Sequence, residues 1–240
     1  MRLNSKRLPY KALLEIEKIP LIIHTYFRSK MSRLADEVYI CTDSNKIIEV
    51  CKKFRAKFIK TKSIHKNGTE RIAEAVNKIK VKENDIIIDV QGDEPLINPG
   101  HIDKVIKFFR SNIYDIVVPH IKINNGSSKN IVKLIVNKNN KILWMTRSQT
   151  PFNFYSQNIN YLKHLSIIAF NKKSLKKYAK LKISNYEKIE SIELLRAIEN
   201  DMLLGSFPIK SDSFSIDILE DFFKAKKFFL KDKIKLNYIK

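Results

Sequence analysis

The chain has 240 residues, 44% of them hydrophobic, which is enough to bury the core of one large α/β domain. Its 46 Lys and Arg outnumber 25 Asp and Glu, giving a net charge of +21, but these residues are spread along the chain without a nucleic-acid-binding motif, so no specific nucleic-acid partner is predicted. No apolar run approaches the roughly 18 residues that cross a bilayer and no signal-peptide core is present, so we predict a cytoplasmic protein without membrane insertion.

The predicted elements alternate between strands and helices along the chain. Strand patterns occupy residues 37–42, 57–61, 86–90, 115–123, 131–136 and 165–170. Helical spacing of apolar residues covers 47–54, 68–79, 98–109, 185–200 and 218–230. Polar loops are predicted at 124–130 and 153–160. This alternation favours a mixed, mostly parallel sheet flanked by helices.

The two cysteines, Cys41 and Cys51, fall in a predicted strand and in the helix after it. They have neither zinc-site spacing nor a disulfide framework, so packed thiols are predicted. Only nine of the 46 basic residues are Arg, and five of these lie in segments selected on other grounds. In a chain that uses Lys so freely, a retained Arg suggests a need for the bidentate guanidinium, although chance placement is the alternative.

The most informative segment is Gln91-Gly-Asp-Glu-Pro95, which directly follows a buried-strand pattern. It places Asp93 and Glu94 at the carboxyl end of a strand, where open α/β folds bind ligands. Carboxylates are hard oxygen ligands of the kind that Mg²⁺ takes alongside substrate phosphates. The alternative is a solvated turn that uses Gly, Asp and Pro only for its geometry.

Three further segments suggest anion or metal chemistry. Residues 2–11 collect four cations and Ser5 in one loop, which can surround a triphosphate or be merely a basic terminus. Residues 65–71 begin a helix, whose free N–H groups suit an anion, although Thr69 and Glu70 are equally ordinary first-turn residues. Asp217 precedes the last helix, as a helix cap or as a second acid converging on Asp93.

Together these segments resemble the 3-deoxy-manno-octulosonate cytidylyltransferases, in register from Arg2 to about Ala225. The similar elements are Arg2-x-x-Ser5-x-Arg7-Leu-Pro-x-Lys11, Gly68-Thr-Glu-Arg71, Gln91-Gly-Asp-Glu-Pro95, Asn130-Ile-Val-Lys133, Thr146-Arg147 with Pro151, His164-Leu165 and Glu187-Lys-Ile-Glu-Ser-Ile-Glu-Leu-Leu-Arg196. Each is modestly specific, but their common order and spacing make the resemblance strong.

The resemblance implies a nucleotide-diphospho-sugar transferase fold, Rossmann-like, in a single domain over residues 1–240 with a small dimerisation excursion and a homodimer. It implies transfer of CMP from CTP to 3-deoxy-manno-octulosonate (Kdo), with Mg²⁺, for lipopolysaccharide synthesis. The implied roles are metal binding by Asp93 and Asp217, with Lys11 as a third catalytic residue; nucleotide binding by Arg2, Ser5, Arg7, Lys11, Asn67, Gly68 and Arg71; and sugar-acid binding by Gln91, Arg147, His164 and Glu190.

The sequence also departs from the family pattern. Met1 directly precedes Arg2, where the family has an apolar strand, so we expect that strand to be missing. Tyr10 stands in place of a Gly, Ser166 in place of another Gly, and Ile218-Leu219 in place of Thr-Pro. The alternatives are therefore an enzyme for the 8-amino analogue of Kdo, an inactive truncated homologue, or a basic non-catalytic binding protein.

Overall fold

A computed structural model describes residues 7–65, 67–155, 159–210 and 215–239. Its strands, numbered β1 to β11, are Glu15–Ile16, Ile19–Pro20, Ile40–Thr42, Phe58–Lys60, Ile86–Val90, Ile116–Ile123, Lys133–Val136, Ile142–Thr146, Tyr161–His164, Ile167–Asn171 and Leu204–Pro208. Its helices, numbered α1 to α8, are Leu21–Lys30, Asn45–Lys53, Gly68–Val76, Pro99–Arg110, Lys172–Lys180, Asn185–Glu190, Leu195–Ile198 and Leu219–Lys231. Among these residues, no helix is long and apolar enough to span a bilayer.

The described residues form two compact units. The first is drawn from Met1–Val81, Asp89–Lys104 and Ser213–Lys240, and the second from Lys82–Ile88 and Val105–Asp212. Strand β5 and helix α4 each contribute to both.

In the first unit, β3 and β4 pair in parallel, with α2 as the helix that connects them. Two apolar clusters stabilise this unit. One surrounds α1 and α2 and buries Ile23, Ile47 and Cys51 completely, which confirms the predicted packing of that thiol. The other joins α1 to the last helix, through Leu21 and Phe229. Segments before and after residues 91–95 are therefore packed together in this second cluster.

The second unit is built on a seven-stranded sheet of order β5-β10-β6-β9-β7-β8, in which β11 also pairs with β6. Strand β11 runs parallel to β6, whereas the pairs β10–β6, β6–β9, β9–β7 and β7–β8 are antiparallel. The α/β class is confirmed, but the expectation of a mostly parallel sheet is not. For one of these pairs the cause is local: β7 and β8 are joined by residues 137–141, a connection too short for a parallel crossover.

The single helix predicted over 185–200 is wrong. Helix α6 ends at Glu190, Ser191 adopts the left-handed conformation with φ of 53°, and α7 begins only at Leu195. Arg196, 1% exposed, then spans the break and donates from Nε and Nη2 to the Glu187 carboxylate, both at 2.7 Å. This bidentate pair is the use of a retained Arg that the sequence suggested.

Gly205 in β11 is a position where no side chain fits. A Cβ there would lie 2.3 Å from Cδ2 of Tyr114, and the Tyr114 hydroxyl is itself tied to the Asn139 carbonyl at 2.5 Å. We predict that Gly205→Ala destabilises the protein by about 2 kcal/mol, because the ring or the strand must shift. Urea unfolding measures this change.

The control for this prediction is a double-mutant cycle with Tyr114→Ala, which removes the obstructing ring. The Gly205→Ala cost should fall below about 0.5 kcal/mol in that background. An equal cost in both backgrounds would show that the ring contact is not its origin.

Candidate functional site

Three segments of the first unit meet at a pair of carboxylates. Asp93 lies in the turn after β5, and the backbone N–H of Ile216 donates to the Asp93 carbonyl at 3.0 Å. That bond brings Asp217 beside Asp93. The Lys11 ammonium joins them, at 2.5 Å from Asp93 Oδ2 and 3.1 Å from Asp217 Oδ1. Lys11 is 6% exposed, so this charge is held largely out of water.

Arg7 adds a second cation, with Nη2 at 2.9 Å from Asp217 Oδ1. Its side chain is 54% exposed, so the guanidinium faces solvent on its other side. Arg2 and Ser5, the remaining predicted residues of this loop, lie outside the described residues. The predicted convergence of Asp217 on Asp93 is therefore present, with two of the predicted cations against it.

The donor set suits Mg²⁺. Asp93 and Asp217 supply two carboxylates, and Mg²⁺ is typically bound by one or two carboxylates together with water and substrate phosphates. Among the described residues no three His, Cys, Asp or Glu side chains form a closed metal cluster. A Mg²⁺ ion held by these two carboxylates would take its other oxygens from water and substrate phosphates.

Glu94, the other acid of the turn, has a different position. It is 2% exposed, and its Oε1 accepts a hydrogen bond from Ser215 at 3.0 Å. It therefore connects the two acid-bearing segments instead of facing the cation position. Of the two acids that the turn offered as hard ligands, the geometry favours Asp93.

Helix α1 holds the turn through two residues that the sequence did not single out. Arg28 is 2% exposed; it donates from Nε to the Ile97 carbonyl at 2.6 Å and from Nη1 to Asp232 at 2.5 Å. Thr25 donates to the Gly92 carbonyl at 3.3 Å. The rarity of Arg in this chain was a usable signal for Arg28, but it lies outside every segment that was selected.

The first turn of α3 lies beside Gln91, at the start of the same turn that carries Asp93. The Asn67 side chain accepts from Glu70 N at 2.8 Å, so it caps the helix. Arg71 is 2% exposed; its Nη1 donates a hydrogen bond to Thr61 Oγ1 at 2.5 Å and forms an ion pair with Asp43 at 3.1 Å. It ties α3 to the β3–β4 pair, and a direct nucleotide contact by Asn67, Gly68 or Arg71 stays a prediction.

Asp89 is a buried acid beside the predicted sugar-acid residue Gln91. It is 4% exposed, and its Oδ2 accepts from Gln91 Nε2 at 3.1 Å. Burial raises the pKa of Asp89 from 3.8 to about 7, and the charge of Asp93 adds to the rise. Sequence analysis assigned Asp89 only to the strand.

The other predicted sugar-acid residues lie in the second unit. Arg147 donates from its side chain to the carbonyls of Glu190 at 2.8 Å and Ser191 at 3.1 Å, and so caps α6 where the helix breaks. The Glu190 carboxylate accepts from Thr146 Oγ1 at 2.7 Å and from the Arg147 backbone at 2.8 Å. The structure thus brings Arg147 and Glu190 together.

His164 is at the end of β9, opposite His120 of β6. Its Nε2 atom is buried and has no hydrogen-bond partner among the described residues. Burial, together with the charges of Lys163 and Arg147, lowers the pKa of His164 to about 4, so the imidazole is neutral at pH 7. A role for this residue, Arg147 and Glu190 in binding a sugar acid stays a prediction.

Lys133 supports the same region and was noticed only as part of a motif. It is fully buried, and its ammonium donates to the carbonyls of Ser128 at 3.1 Å, Ile131 at 3.0 Å and Arg147 at 2.5 Å. Desolvation lowers the pKa of Lys133. The amine organises three backbone segments next to Arg147.

Comparison with known proteins places the chain in a class. Residues 1–204 match the family model described as Cytidylyltransferase, so the chain belongs to the cytidylyltransferase family. A 3-deoxy-manno-octulosonate cytidylyltransferase of Thermodesulfovibrio yellowstonii is 37% identical over 94% of each chain. An 8-amino-3,8-dideoxy-manno-octulosonate cytidylyltransferase of Shewanella baltica is 31% identical over 94% of each chain.

A solved structure extends the likeness to the fold. It is described as CMP:2-keto-3-deoxy-manno-octonic acid synthetase complexed with CTP, and it matches with a TM-score of 0.91 and 29% identity over 96% of each chain. The resemblance inferred from the sequence is confirmed: the protein is a nucleotidyltransferase related throughout its length to the Kdo cytidylyltransferases.

Tyr10 shows what one departure from the family pattern costs. Its backbone is left-handed, with φ of 56° and ψ of 19°, a conformation that glycine adopts without the Cβ penalty. The exposed Tyr10 ring offsets part of this conformational cost through a cation–π contact with Lys46, whose Nζ lies 5.0 Å from the ring centroid. We predict that Tyr10→Gly raises the free energy of unfolding by about 0.5–1 kcal/mol, measured in urea.

Lys46→Ala separates the two contributions, because it removes the cation–π contact and leaves the backbone unchanged. It should cost about 0.5 kcal/mol in the parent protein and nothing in the Tyr10→Gly background. A Tyr10→Gly variant less stable than the parent would contradict the strain argument.

Asp89 gives a prediction of pH dependence. Its pKa is higher in the folded protein than in the unfolded chain, so the folded state binds the proton more tightly and loses stability as the pH rises from about 4 through 7. Asp89→Asn abolishes that loss. We predict a gain of up to about 4 kcal/mol at pH 8 that shrinks towards zero near pH 4, by urea unfolding without divalent cations.

The exposed Glu220 supplies the control. Glu220→Gln removes the same formal charge from the surface, so its effect should be below about 0.5 kcal/mol at both pH values. Equal effects of Asp89→Asn at pH 8 and pH 4 would contradict a raised pKa.

Proposed function

We propose that the protein transfers CMP from CTP to Kdo, releasing pyrophosphate, with Mg²⁺ at Asp93 and Asp217. The observation that carries this proposal is the meeting of Lys11 with both carboxylates in a chain of the cytidylyltransferase family. The similarity to relatives named for this substrate supports the sugar acid. The structure related to this chain that is described as a complex with CTP supports the nucleotide.

The proposed chemistry is an in-line attack by a sugar hydroxyl on the α-phosphorus of CTP. The bond from that phosphorus to the bridging oxygen breaks, pyrophosphate leaves with the bonding electrons, and the proton of the attacking hydroxyl is released to water. Positioning and charge neutralisation account for such catalysis, so no protein nucleophile is required. A bound Mg²⁺ would supply Lewis-acid stabilisation of phosphate oxygens.

Lys11 and Arg7 would act on the triphosphate. Both place N–H donors at the carboxylate pair, where a cation and the negatively charged phosphates of the nucleotide that it binds would lie. Since Lys11 is enclosed by protein, its charge is screened less than that of a surface lysine, and it is the better placed to stabilise charge on a leaving group. Arg7, being half exposed, suits capture of the outer phosphates.

Several finer assignments belong to the same proposal and, apart from the predicted cytoplasmic location, rest on the family resemblance. They are a single domain over the whole chain, a homodimer, a cytoplasmic location and a role in lipopolysaccharide synthesis.

Pyrophosphate release is the deciding experiment: the protein is supplied with CTP, Mg²⁺ and either Kdo or its 8-amino analogue. Release with Kdo supports the proposal, release only with the amino sugar redirects it, and release with neither supports an inactive homologue.

Asp93→Asn tests the metal assignment. The variant keeps a neutral oxygen but loses the charge that attracts a divalent cation, so we predict a loss of at least about 100-fold in kcat/KM. The Mg²⁺ concentration required for half-maximal activity should rise in parallel. Pyrophosphate release at varied Mg²⁺ measures both.

Glu220→Gln serves again as the matched charge control and should retain the parent's kcat/KM. Circular dichroism and urea unfolding establish whether Asp93→Asn stays folded after Lys11 loses one partner. Activity of folded Asp93→Asn within a few-fold of the parent, at unchanged Mg²⁺ requirement, would refute the assignment.

A further inference from the structure

Asp89, Gln91 and Gly68 form a polar group in the first unit to which the proposed chemistry assigns no joint role. A Cβ built on Gly68 would lie 3.3 Å from Gln91 Nε2 and 3.5 Å from Asp89 Oδ2. The Gln91 carboxamide therefore lies against the first turn of α3, and the missing side chain at Gly68 leaves the space for it. Asp89, buried beneath, accepts the hydrogen bond from Nε2.

The chemistry of a carboxamide makes this contact directional. One end of the Gln91 amide donates through Nε2 and the other accepts through Oε1. In the structure the Nε2 end faces Asp89, whose Oδ2 accepts from it at 3.1 Å. The Oε1 end has no hydrogen bond to another described residue, and a group that binds it must be a donor.

We propose that Asp89 is a positioning residue that fixes the Gln91 carboxamide so that Oε1 accepts a hydrogen bond from a hydroxyl of the sugar acid. The inference rests on the proposed function and on the sugar-acid role that the family resemblance implies for Gln91. It adds a chemical selection: the Gln91 position recognises a hydroxyl donor and disfavours an acceptor-only group such as the substrate carboxylate. Gly68 contributes by leaving the carboxamide room beside α3.

Two variants of the full chain separate this role from simple packing. Asp89→Leu removes the acceptor while keeping the branching and the number of side-chain heavy atoms, although it is larger, and Asp89→Asn keeps an acceptor oxygen without the charge. For Asp89→Leu we expect KM for Kdo to rise at least tenfold, with KM for CTP changed less than twofold. For Asp89→Asn we expect KM for Kdo to stay within about threefold of the parent.

Equal rises in both KM values for Asp89→Leu would indicate a general structural defect and overturn the proposal. An unchanged KM for Kdo in that variant would overturn it as well. A rescue by Asn together with a nearly unchanged KM for CTP in Asp89→Leu supports it, because Asn restores the acceptor and a packing defect caused by the larger Leu would raise both KM values.

A second measurement does not depend on the substrate. The side-chain NH₂ resonances of Gln91, identified by their loss in Gln91→Met, report the hydrogen bond to residue 89 in the free protein. They should show slow hydrogen exchange in the parent and in Asp89→Asn, and fast exchange in Asp89→Leu. Exchange in Gly68→Ala should be faster than in the parent, because a Cβ at 3.3 Å from Nε2 makes the carboxamide shift by a few tenths of an ångström. Fast exchange in the parent would overturn the positioning role.

The two proposals can therefore fail separately. If the parent releases no pyrophosphate with Kdo, the proposed function and the hydroxyl contact of Gln91 both fall, while the exchange measurement still decides whether Asp89 fixes the carboxamide. If the parent is active but Asp89→Leu leaves exchange and KM for Kdo unaltered, only the positioning inference is refuted. Should Asp89→Leu not fold, Gly68→Ala takes its place in the exchange comparison.

Discussion

The Lys11 ammonium, enclosed between the carboxylates of Asp93 and Asp217, is the interaction on which the rest of the first unit depends. Its three participants come from the start, middle and end of the chain, so they meet only in the folded protein. A buried cation costs several kcal/mol unless acceptors surround it, and the two acids supply that compensation. In return the cation holds together two negative charges that would otherwise repel each other.

The surrounding contacts keep those carboxylates in position. The backbone bond from Ile216 to Asp93, the Ser215–Glu94 hydrogen bond and the Arg28 contacts behind the turn all restrain the same few residues. None of these groups needs to touch a substrate. A site that works by positioning needs such support, because a carboxylate displaced by an ångström no longer holds a cation where a phosphate can also bind to it.

The sequence predicted much of this arrangement, and the reasons are physical. A buried strand followed by Gly and two acids indicated where the turn lies, and helical periodicity located α2, α3, α4 and α8 within a few residues. The convergence of Asp217 on Asp93 followed from the family resemblance. The sequence did not predict the direction of the strands, because a period-2 pattern is the same in parallel and antiparallel pairs.

Other features lie beyond local patterns. The break at Ser191 escaped notice because apolar spacing continues through it, while the Arg147 side chain that stabilises the break comes from just after β8, far away in the sequence. Asp89 was treated as a strand residue, since only the fold shows that Gln91 and α3 enclose it. Arg28 depends on backbone carbonyls, which carry no sequence signature.

The main-chain bond from Ile216 to the Asp93 carbonyl has an evolutionary consequence. It fixes the position of Asp217 without using any side chain nearby, and the Asp221 carboxylate adds a second restraint by accepting from the Asp217 and Ile218 backbones at 3.0 and 3.1 Å. Ile218 and Leu219, which replace the Thr-Pro of the family pattern, are 40% and 50% exposed. Those two positions can therefore diverge under mutational drift while the acid beside them keeps its place.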